Sequence, residues 1–113
     1  MKKFGDATGL YPVKRRARHA ERDGFRISEI TLDAGQSVPW HLHTNVQDTF
    51  FVMNGTIDIA LRTPATKVTL GRGETFAVVP GREHEVTVAD GDEATFLIMQ
   101  GFGQYDFVPS ENS

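Results

Sequence analysis

In the stretch PWHLHTNVQDTFFVMNG, residues 39–55, two of the chain's four histidines stand one residue apart, just before a short polar turn. On an extended strand residues i and i+2 point to the same side. His41 and His43 therefore project together, with ring nitrogens close enough to hold one metal ion. Asp48 follows a four-residue connection and opens the next apolar run, and His84 comes much later, directly after the turn VPGRE. Neutral imidazole and carboxylate suit manganese, iron, nickel, copper and zinc. Three imidazoles and one carboxylate on a divalent ion leave one net positive charge, and a six-coordinate ion keeps two positions for water or substrate. The chemistry would be Lewis-acid activation or a platform for dioxygen. The plain alternative is that His41 and His43 are ordinary polar side chains and His84 an exposed loop residue. His19, in a charged N-terminal stretch, reads as solvated.

The elements that must position these residues are short and β-rich. From Gly24 onward FRISEITL, DTFFVM, TIDIALR, KVTL, TFAVV, HEVTV and ATFLIM are separated by Gly, Pro, Asn or Asp punctuation. Strands at such regular spacing, with nothing helical between them, predict an all-β sandwich or barrel. In TIDIALR, Ile57, Ile59 and Leu61 share one face. Asn54-Gly55 fits a two-residue type I′ turn that folds DTFFVM back on TIDIALR as a hairpin. The segment RRARHAERDGF reads as an outer strand or loop. Phe4, Leu10 and Tyr11 near one end, and Phe102, Tyr105, Phe107 and Val108 near the other, are too apolar for water. They are expected to pack on the barrel or on a second subunit.

The 113 residues fit one domain, 1–113, with a core of about 25–99. Such a chain buries roughly two-thirds of its unfolded surface, enough for a core without staples. No cysteine is present, which excludes disulfides, thiolate catalysis and cysteine zinc sites. The net charge of −3 argues against nucleic acid and anionic membrane as partners. The basic run KRRAR, Lys14 to Arg18, is answered by ERD and reads as a solvated face. No apolar run approaches the ~20 residues of a membrane helix. With no apolar stretch after MKK to serve as a secretory signal, the expected compartment is the cytoplasm.

The spacing of the whole constellation resembles the cupin family. Its first motif runs Gly, five residues, His-x-His, three or four residues, Glu, six residues, Gly. Here Gly35 is followed by QSVPW, His41-Leu42-His43, TNVQ, Asp48, TFFVMN and Gly55, with Asp48 in place of the usual Glu. The second motif runs Gly, five residues, Pro, one residue, Gly, two residues, His, three residues, Asn. Gly73, Gly81 and His84 hold their distances, whereas Val79 and Val88 replace Pro and Asn and the proline is Pro80. The resemblance spans about Phe25 to Met99.

It implies a double-stranded β-helix, a jelly-roll-like barrel, with one divalent transition metal (manganese, iron, nickel or zinc) inside near one mouth. It also implies four ligands, His41, His43, Asp48 and His84. The Asp48 carboxylate reaches about 1.5 Å less far than that of Glu, so it ligates after a strand shift, acts through water, or leaves a three-histidine site. Gln47 is adjacent but should point to the other face. Phe50, Val52, Phe76, Val78, Val86 and Val88 are the candidate apolar walls of a substrate pocket, or plain core.

Two functional classes follow. One is a metal-dependent enzyme acting on a small organic molecule, as a dioxygenase, isomerase, lyase or cyclase. The other is a non-catalytic module that senses or carries a small molecule. Fold alone does not choose between them. The resemblance also implies strand exchange or sheet packing between subunits, hence a two-fold homodimer.

Overall fold

The computed structural model describes residues 2–111. Its strands are β1 (Arg15–Arg22), β2 (Phe25–Asp33), β3 (Ser37–Leu42), β4 (Gln47–Leu61), β5 (Thr66–Leu70), β6 (Thr75–Val78), β7 (His84–Gly101) and β8 (Val108–Pro109). No helix occurs among the described residues, and none is long and apolar enough to cross a membrane. All the pairings are antiparallel.

The architecture hangs on two long strands. β4 and β7 pair along their length, from Gln47 opposite Gly101 to Leu61 opposite His84. One half of this ribbon carries β2 and then β1 on the β7 side, and β6 on the β4 side. The other half carries β3 and β8 on the β7 side and β5 on the β4 side. The result is a double-stranded β-helix, built from amphipathic strands that each bury one face. The core between the layers includes Ile30, Leu32, Phe50, Val52, Ile57, Ile59, Val86 and Phe96.

The expected hairpin at Asn54-Gly55 does not form. Both runs belong to one 15-residue strand, β4, and the pairing register slips between Val52 and Ile57. Before the slip the buried positions are 48, 50 and 52, and after it they are 57, 59 and 61. From Val52 opposite Phe96 to Ile57 opposite Val88, five residues of β4 run against eight of β7, and the odd step through Asn54-Gly55 keeps the apolar side of β4 facing inward on both sides of the irregularity. Gly55 sits at φ 82°, and a Cβ there would lie 2.7 Å from the Glu93 carbonyl oxygen and 2.9 Å from Ala94 Cα. The turn signal was real as a demand for positive φ. No reversal follows from it, because the two halves pair with β7, β6 and β5 and not with each other. HEVTV and ATFLIM likewise join in the single strand β7.

RRARHAERDGF is an edge strand. Arg22 pairs with Phe25 across a two-residue Asp23-Gly24 loop with Gly24 at φ 80°, the turn chemistry of a tight hairpin. The terminal aromatics pack mostly on their own barrel. Phe4 and Phe107 exchange backbone hydrogen bonds of 2.9 and 2.7 Å, and the Tyr11 ring stacks on Phe107 at 5.8 Å. Phe107 and Val108 are buried, whereas Phe102 is 86 % exposed and stacks only on Phe25 at 5.5 Å.

Gly55→Ala forces a side chain into positive φ and against β7. It should destabilise the fold by about 2 kcal/mol or more. Urea unfolding of both proteins measures this, and an unchanged midpoint would remove Gly55 as the hinge of β4.

Candidate metal centre

Strand alternation and cross-strand register bring the four candidate ligands together. His41 on β3 lies directly opposite His84 at the start of β7. His43 follows two residues on, and Asp48 stands on β4 between Gln100 of β7 and Val78 of β6. All four are at most 3 % exposed. Their donor atoms lie within 4.8 Å of one another.

The Asp48 Oδ2 atom is the hub. It lies 2.9 Å from His43 Nε2, 2.9 Å from His84 Nε2 and 3.8 Å from His41 Nε2. The shorter carboxylate therefore reaches the cluster without a strand shift. Gln47 is exposed and bonds Thr49, away from the cluster.

Each histidine is oriented from behind. His41 Nδ1 donates to the Pro39 carbonyl at 2.7 Å, His84 Nδ1 to the Arg82 carbonyl at 2.8 Å, and His43 Nδ1 to the Asp106 carbonyl. A carbonyl only accepts, so every Nδ1 carries hydrogen and a neutral ring presents its Nε2 lone pair to the centre. This is the arrangement that metal-ligating histidines use to fix tautomer and raise ligand basicity. Asp48 is held the same way, since Gln100 Nε2 donates to Oδ1 at 2.9 Å and leaves Oδ2 turned inward.

With all three rings neutral and hydrogen on Nδ1, three lone pairs and a carboxylate oxygen face one point, and only an added proton can make the 2.9 Å contacts of His43 and His84 with Asp48 Oδ2 into hydrogen bonds. Such a knot of acceptors is unfavourable in a dry interior unless a cation joins it. The spacing comes close to that of the ligand atoms around one ion. With bonds near 2.1 Å, neighbouring ligand atoms of a six-coordinate ion stand about 3.0 Å apart and opposite ones about 4.2 Å. The carboxylate and imidazole donor set suits a divalent transition metal.

Without a metal, protons redistribute over the same atoms. Burial pushes the His41 pKa down to about 4, with the charges of His84 and His43 adding to the effect of burial. For His43 burial also acts against the charged form, but the Asp48 charge and the hydrogen bonds outweigh it, so its pKa is raised. Burial works against the Asp48 anion too, and the surrounding histidines overcome that and hold its pKa well below the ordinary carboxylate value.

Several site residues were not legible in the sequence. Gln100 closes an apolar run and gives no sign of its role. Phe107 stacks on His41 with ring centroids 4.5 Å apart, and Tyr105 lies 5.2 Å from His43. The Asp106 carboxylate accepts from the Thr44 backbone N–H at 2.8 Å and from its hydroxyl, which ties the C-terminal segment to the turn after His43. Their sequence signal was only an excess of aromatics near the end of the chain.

The six candidate wall residues sit in or against the core. Phe50, Val52, Val78 and Val86 belong to the buried core, and Phe76 and Val88 pack against it. Of these, Phe50 meets the cluster, edge-on to His84 at 6.1 Å. A cleft of about 740 Å³ lies instead beside the β1–β2 turn, and its wall includes Arg26, Gln100 and Tyr105. Through Gln100 this cleft is one hydrogen bond from Asp48. His19 is on the outside, its Nε2 2.8 Å from Glu29.

Residues 28–100 match the family described as Cupin domain. No curated protein sequence matches the chain. Among solved structures, it is similar to an uncharacterized conserved protein with a double-stranded β-helix domain from Klebsiella pneumoniae subsp. pneumoniae. That likeness has 21 % identity and a TM-score of 0.75 over 86 % of this chain and 84 % of the other. KdgF from Halomonas sp. is similar at 17 % identity and TM-score 0.65, over 76 % of this chain and 78 % of the other. An oxalate oxidase is similar at 18 % identity and TM-score 0.69, over 76 % of this chain but 46 % of that longer one. At these identities the likeness is one of fold. With the domain match covering most of the chain, and the barrel and its motif residues in place, the protein belongs to the cupin family.

Proposed function

We propose that the protein is a metal-dependent enzyme acting on a small organic molecule, with one divalent ion (manganese, iron, nickel or zinc) held by His41, His43, Asp48 and His84. The observation that carries this reading is the convergence of three Nε2 lone pairs and Asp48 Oδ2 on one buried point, each oriented by a hydrogen bond behind it. An ion there supplies Lewis-acid or dioxygen chemistry at an oxygen-bearing substrate. The protein's own groups do the positioning. Gln100 keeps Oδ1 engaged so that Oδ2 stays on the ion's side, and Phe107 covers one face of His41 and keeps water from it. Phe50 forms a rigid apolar floor under His84, with Val52, Phe76, Val78, Val86 and Val88 packed behind it.

Metal analysis of protein purified without added metal tests this. About one ion per chain is expected, lost in His41→Ala with the barrel still folded, because the core is hydrophobic and not metal-dependent. Wild-type protein that stays metal-free after reconstitution would defeat the reading. Iron with dioxygen consumption would mark an oxygenase. Manganese, nickel or zinc without it would mark an isomerase, lyase or cyclase. A loaded protein that binds small molecules but turns none over would be a carrier or sensor.

Protons and metal compete for the same nitrogens, so affinity should rise with pH. His43 has a raised pKa, so the loss of affinity on acidification begins above the usual histidine value of 6.5, while His41 stays neutral down to about pH 4. Below the His43 pKa, affinity should fall at least about tenfold per pH unit. Asp48→Asn removes the charge that raises His43, so it should weaken metal at every pH and shift the fall to lower pH. Asp48→Glu should retain binding. Metal titrations from about pH 5 to 8 read this, and a flat wild-type profile would mean the histidines are not ligands.

We also infer a homodimer. On the outer face of the β2–β7–β4 sheet Ile27 lies opposite Met99 and Leu97 opposite Phe51, with Met53 two residues further along β4, and Phe51 and Met53 are 36 % and 40 % exposed. A second copy of this self-complementary face would cover it. Light scattering should give twice the chain mass, reduced to one chain by Phe51→Glu with Met53→Glu. A monomeric wild-type protein rejects the dimer.

A further inference from the structure

The run of basic residues at the start of β1 is not simply a solvated face. Arg16 pairs with Ile30, and Arg18 with Ser28, across the β1–β2 ladder. Ile30 is 1 % exposed and Ser28 5 %, so the face they share is the inner one and Arg16 lies on it. After the bulge in β1, Glu21 pairs with Arg26, whose neighbour across β7 is the buried Gln100. Arg16, Arg26, Ser28 and Gln100 therefore lie on the inner face of this half of the sheet, whereas Arg18 on the edge strand is exposed.

Two of the three arginines are matched. Arg18 lies 2.7 Å from Glu21 and 3.6 Å from Asp6, and Arg26 3.3 Å from Glu21 and 3.7 Å from Asp6. Arg16 is different. Its Nη2 is buried with no hydrogen-bond partner among the described residues, and its guanidinium lies 5.1 Å over the Tyr11 ring. An unmet N–H of a cation in a protein interior is expensive to keep. Tyr11 stacks on Phe107, which stacks on His41, so one aromatic wall runs from Arg16 to the candidate ligands.

We infer that Arg16 is the anchor for a small organic anion that occupies the barrel beside the metal centre, its anionic group on Nη2 and its other end toward the cluster. The inference rests on the metal-site reading, and charge balance supports it. Two carboxylates against three arginines leave one positive charge at Arg16. A divalent ion with Asp48 and three neutral histidines leaves one more at the centre. Positive charge at both places favours a negatively charged occupant. The Tyr11 hydroxyl supports the same picture. Burial raises its pKa, while the Arg16 charge and a hydrogen bond with Arg16 work against that and the Asp48 charge adds to it. It therefore stays a neutral donor within the field of the cluster.

The test is calorimetric binding of malonate, its neutral analogue malonamide, and inorganic phosphate. The proteins are wild type, Arg16→Met and Arg16→Lys, each zinc-loaded and metal-free, with zinc content measured in every case. Arg16→Met should weaken malonate or phosphate by about tenfold or more, the worth of a charge-assisted hydrogen bond. Malonamide should change less than about twofold, Arg16→Lys should fall between, and zinc content should not change. A drop confined to malonate identifies a carboxylate ligand, and one confined to phosphate a phosphate ester. Equal affinity in wild type and Arg16→Met, equal loss for malonamide, or no anion binding to wild type overturns the inference. If Arg16→Met does not fold, Arg16→Lys is read against the same three probes. Should wild type take no zinc, the metal reading fails, while the metal-free arm still decides Arg16.

Discussion

The rest of the structure answers to one constraint, a carboxylate buried among three imidazole lone pairs. Acceptors facing acceptors in a dry interior are tolerated only when a metal ion or a proton lies among them and each group is held from behind. The carbonyls of Pro39, Arg82 and Asp106 and the amide of Gln100 do the holding. They come from four separate segments, and only the β-helix winding brings those segments to one mouth. β3 and β7 set two of the histidines opposite each other, and the long β4–β7 ribbon sets Asp48 across from Gln100.

The interior is accordingly divided. Toward one end it is packed with Ile, Leu, Val and Phe, and the barrel draws its stability from there. Toward the other, the four ligands, Gln100, Ser28 and the inward arginines of β1 and β2 give a polar lining, closed by Tyr11, Tyr105 and Phe107. The bulge at Gly55 lets a single strand serve both sheets of the barrel, because it resets which positions face inward.

Much of this was legible in the sequence. His-x-His and the later histidine are local or spaced signals, and the alternation in TIDIALR and FRISEITL marks strands directly. What escaped reading depended on register. Asn54-Gly55 demands positive φ in a turn and in a bulge alike, and only the partners across the ladder separate the two. KRRAR looks solvated because composition says nothing of alternation. Once β1 pairs with β2, Arg15 faces Glu29 outside and Arg16 turns in above Ile30. The apolar residues two apart from the ligands along β4 and β7 share their inward side and join the core or pack against it. Gln100, Asp106 and Phe107 lie far from the ligands in sequence, and nothing local announces them.

The covering segment carries a consequence for the order of synthesis. All four candidate ligands have been made once residue 84 is added, but Gln100, Tyr105, Asp106 and Phe107 come later. Until then His43 lacks its carbonyl partner, Asp48 lacks its amide, and His41 has no ring over its face. The nascent site is thus complete in ligands before it is complete in cover. Docking of residues 105–108 is the step that turns an open set of donors into a closed and oriented one.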